Sequence, residues 1–100
     1  MVVRVIALLE IREDESFALG EYFRITNPLL ERANARIVSR FEVNQAVVGH
    51  PPPKTIVVVE YPDLDAVKSV FDSPEYASVA RIRDVAFSSY SVSLVEEVLH

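Results

Sequence analysis

The chain has 100 residues and a formal net charge of −5 at pH 7, which predicts one domain over residues 1–100 with a single modest core. The acidic balance argues against nucleic acid and anionic membranes as partners, because affinity for both depends largely on Lys and Arg. The sequence contains no cysteine, which excludes disulfides, thiolate nucleophiles and cysteine-ligated zinc.

The N-terminal segment has the pattern of a strand. Over residues 2–12, apolar side chains occupy every odd position from Val3 to Ile11, and this alternation is typical of a strand. Arg4 and Glu10 interrupt the other face and leave an apolar run too short for a signal peptide or a membrane span. We therefore expect a cytoplasmic protein.

The next segment, 17–33, repeats its apolar residues at helical spacing. The acidic turn at 13–15, followed by Ser16, favours a helix start because carboxylates and serine stabilise the positive end of a helix. Pro28 lies inside this segment and lacks a backbone donor. We expect a kink, or two short helices, near residues 25–28.

Two further strands are predicted in the middle of the chain. Residues 35–48 alternate again, and a stiff connection with three consecutive prolines follows at 49–53. The run at 55–61 is rich in β-branched residues and apolar on both faces, which is typical of a central strand.

The last part of the chain predicts a helical region and a final strand. Asp63 can cap a helix from Leu64 to about Phe71, and Ser73 followed by proline and glutamate marks a second helix start. Residues 88–98 alternate between apolar residues and serines. The order is β-α-β-β-α-β, which favours a ferredoxin-like α+β fold with a four-stranded antiparallel sheet and its helices on one face.

That arrangement leaves one face of the sheet uncovered. Ile6, Leu8 and one side of the strand at 55–61 would then meet water, and apolar patches of this kind usually mark a partner surface. Two sheets stacked face to face would give a homodimer with a barrel-like centre. The alternative is a monomer with an apolar sheet face.

The second half of the chain resembles a known family. Val-Val-Glu-Tyr-Pro-Asp at 58–63, Phe-Asp-Ser-Pro-Glu-Tyr at 71–76 and Arg83 are similar to domain-of-unknown-function family 1330, and the likeness extends through 36–49. The resemblance implies the dimeric α+β barrel superfamily, whose members include cofactor-free monooxygenases, isomerases and haem-handling enzymes. Such breadth means that the fold alone does not assign a function.

Few residues carry recognisable chemistry. Two glycines cannot form a phosphate-binding loop, and there is no nucleophile elbow. Of the two histidines, His100 ends the chain, so a two-histidine metal site is not expected, nor is a cofactor. His50 is either a general base or ligand at a cavity mouth or, more simply, a solvated loop histidine.

Two cations and two phenols are further candidates for a ligand pocket. Arg83 follows Tyr76 by two helical turns and could hold a carboxylate ligand, or brace the helix by pairing with a nearby carboxylate such as Glu75 or Asp72. Arg40 lies at an even position of its strand and is predicted to share a face with Arg36, Glu42 and Asn44. If that face looks into a dimer, Arg40 could line a polar spot; otherwise it is an ordinary charge at the strand edge. Tyr22 and Tyr76 are either pocket phenols or core aromatics.

Two functional hypotheses follow. The first is a homodimer whose pocket, between helices and sheet, is lined by some of Tyr22, Arg40, His50, Tyr76 and Arg83, and binds or converts a small organic acid or aromatic compound without a cofactor. The second is a non-catalytic interaction or regulatory module that uses the apolar sheet face. An RNA-binding domain of the same strand order is disfavoured by the acidic charge.

Overall fold

One antiparallel sheet organises the fold. The computed structural model of the chain describes residues 2–98. Its strands are β1 (Val3–Ile11), β2 (Arg36–Glu42), β3 (Thr55–Tyr61) and β4 (Phe87–Val95), and its helices are α1 (Ser16–Arg32), α2 (Leu64–Phe71), α3 (Pro74–Ser78) and α4 (Ala80–Ala86). The sheet order is β2-β3-β1-β4 and every neighbouring pair is antiparallel. The predicted ferredoxin-like fold is confirmed.

The two faces of the sheet differ because side chains alternate along each strand. On β3, the residues from Thr55 to Tyr61 are buried at every odd position and half-buried at every even one. The odd positions of β1, such as Val5 and Leu9, lie opposite them on the same face. This face packs against the helices and forms the core, as the alternation predicts.

The other face, which we call the open face, carries apolar side chains that no helix covers. Ile6, Leu8, Ile56 and Val58 are half-buried there, and Phe41 is 55% exposed. The uncovered face predicted from the sequence is therefore present in the described chain. At one end of it, Glu60 accepts hydrogen bonds from Arg4 and Arg36 at 3.2 and 2.8 Å, and these bonds lower the pKa of its carboxyl group, the one from Arg36 most.

An irregularity in β2 changes which residues share a face. The pairing of β2 with β3 shifts register between Ile37 and Ser39, so one extra residue lies on β2. Arg36 lies opposite Glu60 on the open face, whereas Arg40 lies opposite Val57 on the helix face. The prediction that Arg36 and Arg40 share a face was therefore wrong, because simple alternation fails at a bulge.

Helix α1 is continuous through its proline. Pro28 leaves the carbonyl of Arg24 without its helical donor, but both residues lie on the exposed side, where water can reach that carbonyl. The buried residues Tyr22 and Leu29 lie on either side of the interruption and hold one face against the core. The expectation of two short helices was wrong. The predicted helix start is confirmed at Ser16, although Glu15 at the N-cap makes no side-chain capping bond.

The second helical region consists of three short helices. As predicted, Asp63 caps α2 by accepting from the Ala66 N–H at 2.8 Å, and Ser73 caps α3 by accepting from the Tyr76 N–H at 3.0 Å. The sequence predicts one helix from Pro74 onward, but the chain turns tightly at Val79, whose side chain is fully buried. Tyr76 and Arg83 therefore belong to separate helices.

Across residues 2–98, the structure contains no helix with the length and apolar character that a membrane crossing requires.

Candidate functional site

All four tyrosines of the sequence line a single cavity between the helices and the sheet. The cavity has a volume of about 140 Å³, and most of its wall is aliphatic or aromatic. Three of its polar groups meet at one place, because Tyr22, Tyr76 and Tyr90 come from α1, α3 and β4. An apolar cavity with a few convergent polar groups is the usual form of a small-molecule site.

Tyr22, Tyr90 and Tyr76 form a continuous run of hydrogen bonds, which we call the tyrosine chain. The hydroxyl oxygens of Tyr22 and Tyr90 are 2.7 Å apart, and those of Tyr90 and Tyr76 are 2.8 Å apart. Arg83 Nη1 approaches the Tyr76 hydroxyl oxygen at 3.4 Å. Three phenols and a guanidinium are thereby linked across three helices and a strand.

Local packing fixes the position of each phenol. Tyr22 is only 5% exposed and meets the ring of Phe87 edge-on at 5.2 Å between centroids. Tyr90 lies opposite Leu9 on the helix face of the sheet. Tyr76 stands in the first turn after the Ser73 cap, and its ring packs edge-on against Phe71 at 5.0 Å. Rings held in this way keep their hydroxyl groups in one place.

Arg83 lies over two of these rings. Its guanidinium carbon is 5.3 Å from the ring centroid of Tyr90 and 5.7 Å from that of Tyr76, within the range of cation–π attraction. The bracing pair with Glu75 does not form, because Glu75 pairs with Arg32 at 3.3 Å. The carboxylate nearest to Arg83 is that of its exposed neighbour Asp84, at 4.0 Å.

Burial controls the ionisation of the tyrosines. It raises the pKa of the Tyr61 hydroxyl to about 12, and it also raises the pKa values of Tyr22 and Tyr90. These three phenols are therefore neutral near pH 7 and can donate hydrogen bonds there. They are poor proton acceptors at that pH, because a phenol must first lose its proton to act as a base.

The cavity has a second, more open space beside it. A groove of about 710 Å³ follows β4 and is lined by Arg83, Asp84 and the three serines Ser88, Ser89 and Ser91. Phe71, Tyr76, Phe87 and Tyr90 are among the side chains that line both spaces, and they form the wall between the cavity and the groove. Arg83 faces the groove side of this wall.

The opposite end of the cavity opens between α1 and β2. The exposed residues of its lining are Phe23 and Asn27 from α1, with Ile37 and Arg40 from β2. Arg40 reaches this mouth because the bulge in β2 turns it to the helix face. No Asp or Glu lines the cavity within the part of the chain that the structure describes.

The histidines lie away from this cavity. His50 is exposed in the connection between β2 and β3 and is not part of the cavity wall. His100 lies outside the described residues. Among residues 2–98, no group of three His, Asp or Glu side chains is arranged to hold a metal ion.

The structure thus brings Tyr22, Tyr76 and Arg83 together, puts Arg40 at the cavity mouth and leaves His50 outside. Sequence reasoning missed Tyr90 and Tyr61. A signal for Tyr90 was available: it is a phenol on the apolar side of a strand whose other side is a row of serines. Tyr61 ends a strand of core residues and gave no signal beyond its alternation.

Solved structures share this fold at low sequence identity. A protein of unknown function from Rhodopseudomonas palustris is 16% identical, with a TM-score of 0.78 over 99% of this chain and 84% of that one. A dimeric protein of unknown function with a ferredoxin-like fold from Bacteroides fragilis is 18% identical, with a TM-score of 0.56 over 96% of both chains. A cofactor-independent oxygenase from Streptomyces nogalater is 11% identical, with a TM-score of 0.63 over 99% of this chain and 95% of that one.

Similarity at the level of sequence gives the family. No curated protein matches the chain significantly. The family described as "Domain of unknown function (DUF1330)" matches residues 4–98, which is nearly the whole chain. The fold and this match agree with the resemblance noted in the second half of the sequence. The chain therefore belongs to the DUF1330 family and has the ferredoxin-like fold of dimeric α+β barrel proteins.

Proposed function

We propose that residues 1–100 form one domain that works as a homodimer and binds a small aromatic or organic-acid molecule in the tyrosine-lined cavity. The observation that carries this proposal is the convergence of all four tyrosines on one apolar cavity. Phenylalanine would pack a core equally well and needs no hydrogen-bonding partner, whereas each buried phenolic hydroxyl does. A binding site uses such groups to orient its ligand.

The size of the cavity limits the ligand. Its volume of about 140 Å³ is close to that of an engineered protein cavity of about 150 Å³ that binds benzene. One six-membered ring with a small substituent therefore fits without a change in the wall. A larger ligand would have to displace the side chains between the cavity and the groove, such as Tyr76 and Tyr90.

The homodimer is supported by the open face. Ile6, Leu8, Ile56 and Val58 form an apolar surface on the side of the sheet away from the cavity, and burying it against a second copy removes that surface from water. A protein of similar fold from Bacteroides fragilis is dimeric. Because the cavity lies on the other face of the sheet, each protomer would keep its own complete site.

We further propose that the protein converts the ligand that it binds. Oxidation or isomerisation without a cofactor is supported by the similarity of fold to a cofactor-independent oxygenase, which is an analogy and not a matched set of residues. The cavity contributes hydroxyl donors that can stabilise a negative oxygen in a transition state. A proton-accepting group for such a reaction would have to come from the ligand or from water, because the buried phenols stay neutral near pH 7.

The alternative function is a non-catalytic interaction or regulatory module. This function is favoured because no helix covers the apolar side chains of the open face, whereas the cavity is small. In that case, the tyrosine chain would only brace the packing of α1, α3 and β4.

Native mass spectrometry of untagged protein, purified gently from its expression host, tests the proposal. We expect a dimer that carries additional non-covalent mass. The Ala7→Leu variant places extra side-chain volume in the cavity and should lose that mass, while Ala77→Leu, at an exposed position in α3, should keep it. Circular dichroism checks that both variants fold.

Each outcome has a definite meaning. A bare dimer that also fails to bind added monocyclic aromatic compounds contradicts the small-molecule function and supports the interaction module. Additional mass that persists in Ala7→Leu shows binding elsewhere on the protein. A monomer contradicts the stacking of the open faces.

A further inference from the structure

The three hydroxyl groups of the tyrosine chain carry one proton more than the hydrogen bonds between them use. Tyr22, Tyr76 and Tyr90 carry three hydroxyl protons, but only two hydroxyl–hydroxyl contacts join them. Their remaining polar neighbour, Arg83, has donors and no acceptor. No other group within residues 2–98 accepts a hydrogen bond from these hydroxyls. One of the three protons is therefore left to donate to a ligand or to water in the cavity.

The position of Arg83 favours one direction of the hydrogen bonds along the chain. The Tyr76 oxygen accepts from Arg83, so Tyr76 can donate to Tyr90, and Tyr90 can donate to Tyr22. This is the single arrangement in which every hydroxyl accepts one hydrogen bond. The unmatched proton then belongs to Tyr22, which lines the cavity and not the groove. Hydrogen bonds that point the same way along a chain strengthen one another.

The charged side chains around the cavity also favour a negatively charged ligand. No carboxylate lines it within the described residues, whereas Arg40 stands at its mouth and Arg83 lies behind Tyr76 and Tyr90. Neither guanidinium makes a close pair with a buried carboxylate in residues 2–98, since the one contact of Arg83 is with exposed Asp84 at 4.0 Å. In a chain with a net charge of −5, this local excess of cations stands out.

We infer that the cavity holds its ligand as an oxyanion carried on a benzene-sized ring, with the negative oxygen accepting the hydroxyl proton of Tyr22. The chemical class is a monocyclic phenolate or aromatic carboxylate. This inference rests on the proposed function, since it specifies the ligand of the same cavity. Donors fixed in advance and aimed at one point favour the charged form of an oxygen over the neutral form.

The tyrosines have the protonation state that this role needs. Burial raises the pKa values of Tyr22 and Tyr90, so both hydroxyls keep their protons when an anion binds. The site therefore stabilises an anion that the ligand already carries or forms by losing its own proton to water. Tyr22 and Tyr90 act here as hydrogen-bond donors and not as the base.

Titrations followed by ¹⁹F NMR at pH 7 test the inference with three probes of similar size. The probes are 4-fluorophenol, 4-fluorobenzoate and 4-fluorotoluene, of which only the last has no oxygen. We expect at least one oxygen-bearing probe to bind about ten-fold or more tightly than 4-fluorotoluene, because a hydrogen bond to a charged group is worth that much. Bound 4-fluorophenol should show the chemical shift of its phenolate.

Two variants remove the donors, and a third serves as a matched control. Tyr22→Phe and Arg83→Met should each weaken binding of the oxygen-bearing probes about ten-fold and leave the affinity for 4-fluorotoluene unchanged. Arg81→Met removes an exposed arginine from the same helix and should change neither affinity. Urea unfolding of each variant shows whether it is folded under the conditions of the titration.

The outcomes separate this inference from the function on which it rests. Equal binding of all three probes, or no effect of Tyr22→Phe and Arg83→Met, overturns the oxyanion while leaving a cavity that binds aromatic molecules. Failure of every probe to bind overturns both. Preference for 4-fluorobenzoate identifies a carboxylate as the ligand group, and preference for 4-fluorophenol identifies a phenolate.

Discussion

At the scale of single residues, the buried tyrosines couple the stability of the protein to alkaline pH. Burial raises the pKa of Tyr61 to about 12 and raises those of Tyr22 and Tyr90, whereas tyrosines in the unfolded chain ionise near pH 10. Above that pH, the unfolded state binds fewer protons than the folded state. The free energy of unfolding must therefore fall as the pH rises.

We expect the free energy of unfolding to decrease between about pH 10 and pH 12 by roughly 1.4 kcal/mol per pH unit for each of these tyrosines. Urea unfolding at several pH values measures the slope. Tyr61→Phe should reduce the slope by about that amount, because phenylalanine cannot ionise. An identical slope in the variant and the native protein would contradict this assignment.

The sequence identified some residues of the site and missed others for a clear reason. Tyr22 and Tyr76 stood out because each lies on an apolar helical row, and Arg83 because it follows Tyr76 at helical spacing. Tyr90 comes from the opposite end of the chain, 68 residues after Tyr22, and only the pairing of β4 with β1 brings it to the cavity. A contact between distant segments has no periodic signature in the sequence.

At the scale of elements, the cap of α3 links helix stability to the site. Ser73 Oγ accepts from the backbone N–H of Tyr76 at 3.0 Å, so the residue that starts the helix also holds one member of the tyrosine chain. In so short a helix, the cap is a large part of what fixes the first turn. Loss of the cap should therefore affect both folding and binding.

We expect Ser73→Ala to lower the free energy of unfolding by about 1 kcal/mol and to weaken binding of the aromatic probe that the cavity prefers. Urea unfolding and the ¹⁹F titration measure the two effects. Ser78→Ala is the control, because its hydroxyl donates to the Glu75 carbonyl within the same helix and is exposed. Equal losses in the two variants would show that the cap has no special role.

The interruptions of the elements were harder to predict than the elements. Strand alternation located β1 and β3 well, because each keeps one buried or half-buried face along its length, and it located β4 from Tyr90 and Val92, which are half-buried between exposed serines. The bulge in β2 and the tight turn at Val79 depend on packing against neighbouring elements, which local pattern does not encode. The bulge is the reason why Arg40 lies at the cavity mouth.

At the scale of the whole molecule, the fold followed from element order. Two strand–helix–strand units with one apolar sheet face each have few ways to pack, and the antiparallel order β2-β3-β1-β4 is the economical one. The same reasoning predicted the uncovered open face. Element order could not predict whether the cavity binds a molecule, because binding depends on side chains and not on topology.

We expect Leu8→Glu to convert the proposed dimer to a monomer. Leu8 lies on β1, on the open face, between Ile56 of β3 and Ser91 of β4. A dimer through this face would bury two of the new carboxylates, which is costly. Sedimentation equilibrium should show a dissociation constant raised about 100-fold or more. Phe17→Glu changes an apolar residue on α1 that is 82% exposed, and it should leave the dissociation constant unchanged. A Leu8→Glu protein that stays dimeric would place the interface elsewhere.

The gathering of the tyrosines gives the protein an optical property of its own. The sequence contains no tryptophan, and its four tyrosines all line the cavity. Tyrosine fluorescence therefore originates entirely from the walls of one site. A molecule that enters the cavity changes the surroundings of these side chains, so the unlabelled protein can report its own occupancy by small acids that do not themselves absorb where tyrosine does.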